Sequence, residues 1–260
     1  MIAKISVTDV CGAHCTTCLQ HLVEPQHTMT PLQLYRTLQV LLTYCGKFII
    51  NATGDYLMLP DNQDYSDAIG EFQNRHKPFV SITTNAGFTG KPGIHASEII
   101  CSLNALDAKN FDRYIGLEIG LDRVVENIRW IAGKYGCVEI HSLKWQANPD
   151  PDKELLRLFG DLPCRIRISE KVENQFRSEV TEPRAPCDYL TMLTVDPQGR
   201  IKLCPHDFFG KVILGTVTNV PGALRAQALA RQAHDQLDFG GICGRCNYNV
   251  TSPGKVYYIK

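Results

Sequence analysis

The residues with the clearest chemistry are cysteines. Cys11, Cys15 and Cys18 stand in the run Cys11-Gly-Ala-His-Cys15-Thr-Thr-Cys18, directly after the first strand-like segment. Three thiolates so close in sequence can occupy three corners of one metal centre and leave a fourth metal position open to another molecule. Open coordination suits chemistry more than scaffolding. A closed zinc site would need one more ligand nearby, which His14 or His21 could supply, but the spacing favours a cluster. A second set consists of Cys187, Cys204 and Cys243-Gly-Arg-Cys246. Four ligands close either a tetrahedral zinc site or one iron–sulfur cubane, and the chemistry alone leaves both open. Cys45, Cys101, Cys137 and Cys164 sit singly in apolar surroundings and read as small buried hydrophobes.

The elements that must position these residues alternate. Strand-like segments at 4–7, 48–52, 79–84, 98–103, 137–143 and 164–168 are separated by helix-like periodicity. Thr30 followed by Pro31 signals a helix start, with Leu34, Leu38, Leu41 and Leu42 on one face. Tyr65, Ile69 and Phe72 are helix-spaced, as are Leu121, Val124, Val125, Ile128 and Ile131, and Asp150-Pro151 opens a helix through Leu155, Leu156 and Phe159. Strand and helix in alternation predict an α/β fold on a parallel sheet, with the ligand site at the carboxyl ends of the strands. Residues 170–186 are polar, charged and carry two prolines, as expected of a connection. Beyond them, 190–195 and 200–203 flank Asp196-Pro197-Gln198-Gly199 and predict a hairpin, followed by a helix over about 222–236.

Composition narrows the function classes. The chain has 260 residues, 27 basic and 27 acidic side chains, so no net field steers it to nucleic acid or an anionic membrane, and a polyanionic substrate is disfavoured. No apolar run approaches the ~18–20 residues of a spanning helix, and no secretory signal opens the chain. A total of 11 cysteines without such a signal points to a reducing, cytoplasmic setting and to metal ligation, not disulfides.

The motif Cys11-x3-Cys15-x2-Cys18 after strand one resembles the signature of the radical S-adenosylmethionine (SAM) superfamily. The segment Gly54-Asp55-Tyr56-Leu57-Met58-Leu59-Pro60-Asp61 after strand two is similar to its GGEP-type segment, and 99–116 resembles its fourth strand and following turn. Cys187, the turn 196–199, Cys204, Cys243 and Cys246 resemble the shortened "twitch" form of the SPASM extension. Thr17, Thr53 and Asp55 depart from the residues usual at those places, and no fifth-strand glycine motif stands around 138–143.

The resemblance implies a partial (β/α)6 TIM-like barrel over 1–180 and a small hairpin-plus-helix iron–sulfur domain over 181–260. It implies that Cys11, Cys15 and Cys18 hold a [4Fe-4S] cluster whose open iron takes SAM, and that Cys187, Cys204, Cys243 and Cys246 hold an auxiliary [4Fe-4S] cluster. It further implies reductive cleavage of SAM to a 5′-deoxyadenosyl radical, with a flavodoxin or ferredoxin as external one-electron reductant. Gly54 and Asp55 are expected at the SAM amino group, Asn85 and Ser102 as hydrogen-bond partners, and Lys144 at the carboxylate. With an auxiliary electron acceptor, dehydrogenation of a small polar alcohol fits, and His206 and Asp207 beside Cys204 are candidate bases. A peptide maturase is the alternative enzyme; the start of the chain almost at its first strand favours a small substrate over a peptide. The alternative from another class is a non-catalytic zinc-binding α/β protein.

Overall fold

The computed structural model describes residues 1–16, 18–51, 53–145, 148–170, 187–207, 209–235 and 256–259. Strands β1 (Ile2–Ile5), β2 (Lys47–Ile50), β3 (Phe79–Thr84), β4 (Glu98–Ser102), β5 (Val138–Lys144) and β6 (Cys164–Glu170) alternate with helices α1 (Pro31–Leu42), α2 (Asn62–His76), α3 (Ala108–Tyr114), α4 (Gly120–Lys134) and α5 (Pro151–Phe159). There follow β7 (Met192–Val195), β8 (Arg200–Lys202), β9 (Ile213–Thr216), α6 (Val220–Asp235) and β10 (Val256–Ile259). All ten strands form one sheet in the order β10-β6-β5-β4-β3-β2-β1-β7-β8-β9. The pairs from β6 through β1 to β7 are parallel, while β10, β8 and β9 pair antiparallel at the two ends. The fold is the expected α/β partial barrel.

Local signals account for the helix starts. Thr30 Oγ1 accepts from the Gln33 amide and the Thr30 amide donates to Gln33 Oε1, a complete capping box ahead of Pro31. Asp107 caps α3 through the Asn110 amide. The hairpin turn forms as its residues dictate: Gly199 takes a left-handed φ of 73°, and Asp196 Oδ1 accepts from the amides of Gln198 and Arg200. Short α3 and strands β9 and β10 were not evident in the sequence, and α6 begins at Val220, two residues before the expected start.

The sheet register sorts the side chains onto two faces, because neighbours along a strand point oppositely. Ala3, Ile5, Phe48, Ile50, Val80, Ile82, Ile99, Val138, Ile140, Ile166 and Ile168 share one face and pack with Leu34, Leu38, Leu41, Ile69, Phe72, Val124, Ile128, Ile131, Leu155 and Phe159 of the helices. Each fully buried leucine or isoleucine there contributes about 2 kcal/mol of burial. The opposite, inner face carries Lys4, Ser81, Glu98, Ser102, Glu139, His141, Arg165, Arg167 and Ser169. Barrel interiors that serve only as core are filled with branched apolar residues. This one sets polar and charged groups among Ile49, Ile100 and Leu143.

Candidate metal and cofactor site

The cysteine loop leaves β1 at its carboxyl end and is pinned at both flanks. Thr8 bridges to Thr28 through paired hydroxyls 2.7 Å apart, and the Asp9 amide donates to His27 O at 2.8 Å. Beyond Cys11 the His14 amide donates to Ile115 O and the Thr16 amide to Tyr114 O, both at 2.9 Å, so the end of α3 carries the loop's outer half. Cys18 N donates to Cys15 O at 3.0 Å, which turns the loop back on itself.

Burial pushes the Cys11 thiol up to about 11 and the Cys15 thiol up to about 12, and it raises Cys18 as well. The neighbouring sulfurs add to this, since Cys15 feels both Cys18 and Cys11. Three thiolates forced together in a half-dry loop repel one another, and a cationic centre bound by all three reverses that cost. Among the described residues no three His, Cys, Asp or Glu side chains converge on one ion-sized point. Three thiols in one loop with a fourth position left open are a donor set that fits a cluster, with Cys11, Cys15 and Cys18 holding it. His14 and His21, the sequence's candidates for a fourth zinc ligand, pack edge to face against one another with ring centroids 5.7 Å apart.

The segment after β2 fits beneath this loop. Gly54 has φ 65°, and a Cβ there would collide with Thr8 O, so no other residue fits without moving the loop base. Asp55, however, is turned into the protein and is 2 % exposed. Its Oδ1 accepts from Asn51 Nδ2 at 3.0 Å and the Leu57 amide at 3.2 Å; its Oδ2 accepts from Thr84 Oγ1 at 2.6 Å and the Asn85 amide at 2.9 Å. Burial lifts its carboxyl to about 6 despite those bonds. With both oxygens so engaged, Asp55 positions Asn51, Leu57, Thr84 and Asn85 around it.

What Asp55 positions is Asn85, whose Nδ2 lies 3.5 Å from Cys11 Sγ and 3.7 Å from Met58 Sδ. Asn85 is thus brought to the cysteine loop, as is Met58, whose sulfur also accepts from the Gly12 amide at 3.4 Å. Asn51 and Met58 were missed in the sequence. A left-handed asparagine, φ 63°, just after a strand was the available signal for Asn51. Ser102 lies half-buried at the carboxyl end of β4 on the inner face. Lys144 extends toward Asp150, 3.9 Å away, with 43 % of its side chain exposed. Next to the loop a cavity of about 600 Å³ opens, lined by Gly12, His14, Met58, Asn62, Phe88 and Leu117 among others.

At the second site, Cys187 precedes the turn into β7 and Cys204 follows β8; Cys243 and Cys246 lie outside the described residues, as does Thr17. The His206 amide donates to Cys204 Sγ at 3.3 Å. Burial, then the charges of Lys4 and Lys202, hold the His206 imidazole down to about 4. Asp207 accepts from the amides of Lys211 at 2.9 Å and Val212 at 2.8 Å and is buried, so it braces the turn between β8 and β9.

No protein-family model matches the chain, and no curated protein matches it. Solved structures do. The chain superposes on native anSMEcpe with bound AdoMet at a TM-score of 0.65, with 12% identity over 95% of this chain and 89% of that one. BtrN in complex with AdoMet and 2-DOIA gives 0.56, with 14% identity over 97% and 95%. Streptococcus suis SuiB bound to S-adenosylmethionine gives 0.64, with 13% identity over 95% and 72%. Against SuiB bound to precursor peptide SuiA the match covers 60% of this chain and 36% of that one, at a TM-score of 0.51 and 18% identity. These structures are radical SAM enzymes. With its three-cysteine loop at the carboxyl end of β1, the chain has the fold of the radical SAM enzymes.

Proposed function

We propose that the protein is a radical SAM enzyme that oxidises a small polar substrate, in the manner of an alcohol dehydrogenation. The observation that carries the reading is the half-buried loop at the carboxyl end of β1 that holds Cys11, Cys15 and Cys18 together. When bound there, a reduced [4Fe-4S] cluster with SAM on its open iron supplies hydrogen-atom abstraction from carbon. The chain's own residues do the rest. Gly54 lets the post-β2 segment close under the loop, Asp55 fixes the Asn85 backbone, and Asn85 offers its amide to the Cys11 sulfur. A hydrogen bond to a ligand sulfur tunes a cluster's potential. Ser102, half-buried at the carboxyl end of β4, is assigned as a hydrogen-bond partner of SAM.

Residues 181–260 are assigned to an auxiliary unit in which Cys187, Cys204, Cys243 and Cys246 hold a second [4Fe-4S] cluster, supplying a one-electron acceptor. The reductant is a flavodoxin or ferredoxin, and the setting is cytoplasmic; among the described residues no helix is long and apolar enough to cross a membrane. A second reading, a peptide-modifying enzyme, draws on the likeness to SuiB, which was solved with its precursor peptide SuiA. Iron and acid-labile sulfide analysis of anaerobically purified protein tests the proposal: about eight irons and eight sulfides per chain are expected for two cubanes. Zinc without sulfide would contradict both enzyme readings and favour the zinc protein.

A further inference from the structure

On the inner face of the barrel, Ser102 of β4, His141 of β5 and Arg167 of β6 stand in one cross-strand row. Around them the charges are already matched. Glu139 Oε2 pairs with Arg165 at 2.7 Å and Oε1 with Arg167 at 2.7 Å, and Glu98 pairs with the same Arg165 at 2.6 Å. Two arginines and two carboxylates cancel, which leaves this wall hydrogen-bonding but without net charge. His141 Nε2 lies 2.9 Å from Ser169 Oγ, one residue from the carboxyl end of β6, where barrel enzymes bind their ligands.

We propose that His141, with Ser169 as relay, is the proton acceptor of this active site, and that the wall it belongs to receives an uncharged, hydroxyl-bearing small molecule. The inference rests on the radical SAM reading given above and deepens it. Removing a hydrogen atom from the carbinol carbon leaves a carbon-centred radical that still bears its hydroxyl. That species gives one electron to an iron–sulfur acceptor and its hydroxyl proton to Ser169 Oγ, as the serine's own proton moves to His141 Nε2. The carbon–oxygen single bond becomes the double bond of a ketone, and two hydrogens and two electrons have left the alcohol. The other titratable groups facing His141 are unsuited to the task. Glu98 and Glu139 are taken by arginines, and Arg165 and Arg167 carry no lone pair for a proton. Burial and the Arg167 charge hold the imidazole neutral, down to about 4. A weak base suffices, because a hydroxyl proton becomes strongly acidic once its carbon has lost the second electron.

The test uses the full chain with both clusters reconstituted, SAM, dithionite and three uncharged probes deuterated at their carbinol carbons: myo-inositol, scyllo-inositol and D-glucose. At least one probe should raise 5′-deoxyadenosine above the probe-free level, pass deuterium into it and yield a ketone. His141→Gln should retain deuterium transfer while ketone formation falls roughly 100-fold or more, in the range of lost acid–base catalysis. Ser169→Ala should fall in the same direction, and the double variant should be no worse than His141→Gln alone. Ketone formation by His141→Gln within about twofold of the parent, against the loss that general-base removal brings, overturns the role of His141. A parent that cleaves SAM yet turns over none of the three probes overturns the substrate class. A parent that cleaves no SAM at all removes the radical reading itself, and the inference with it.

Discussion

The carboxylate of Asp55 accepts the backbone N–H of Asn85 at 2.9 Å, across thirty residues of chain, and Asn85 in turn aims its amide at Cys11 Sγ. The post-β2 segment therefore acts on the cysteine loop through the end of β3. Asp55 is the hub of this relay, joining Asn51, Leu57, Thr84 and Asn85.

Replacing Asp55 with Ala leaves buried donors at Asn51, Leu57, Thr84 and Asn85 without their acceptor. The expected loss is on the order of 3 kcal/mol, since each unsatisfied buried group costs about 1–3 kcal/mol. Urea unfolding of the cluster-free protein measures it; a loss below about 1 kcal/mol, the floor for even one such group, would show that Asp55 does not hold the segment together.

Asp55 also predicts a pH dependence. Its folded carboxyl titrates near 6 against the ordinary 3.8, so between those values the folded state binds more protons than the unfolded one. Stability from this group thus rises as pH falls from about 6 to about 4, and is lowest above about pH 6. Asp55→Asn should flatten that rise in cluster-free protein, by an amount on the order of 2 kcal/mol. Identical pH profiles for parent and variant would contradict the burial argument.

Gly54→Ala forces a Cβ onto Thr8 O at the base of the cysteine loop. The variant should lose most of its capacity to hold iron at the first site, read as a drop in iron and sulfide content after reconstitution. Full loading would show that the loop base gives way without harm.

Cys243→Ala should lose the auxiliary cluster and ketone formation while some abortive cleavage of SAM to 5′-deoxyadenosine persists. Undiminished ketone formation would contradict electron acceptance at that site.

How much of this was legible depended on how local the signal was. The capping box at Thr30 and Gln33, the leucine face of α1 and the turn Asp196-Pro197-Gln198-Gly199 are written within a few residues of one another, and each formed as read. The direction of Asp55 was not legible, because Thr84 and Asn85 are brought to it only by the pairing of β2 with β3. The same holds for Asp207, whose partners Lys211 and Val212 are close in sequence but occupy its oxygens only once β9 has returned beside β8. His141 shows another gap. The alternation in β5 separates His141 from Ile140, but which of them looks inward is set by the helices that pack on the sheet.

The central claim is that Cys11, Cys15 and Cys18 carry a SAM-cleaving cluster. The direct measurement is 5′-deoxyadenosine formed from SAM by anaerobically reconstituted, reduced protein, compared with Cys15→Ala under the same conditions. Formation by the parent and its loss, by roughly 100-fold or more, in Cys15→Ala is the expected result, since a cluster short of one thiolate does not assemble. Equal formation by both, or none by the parent, would contradict it.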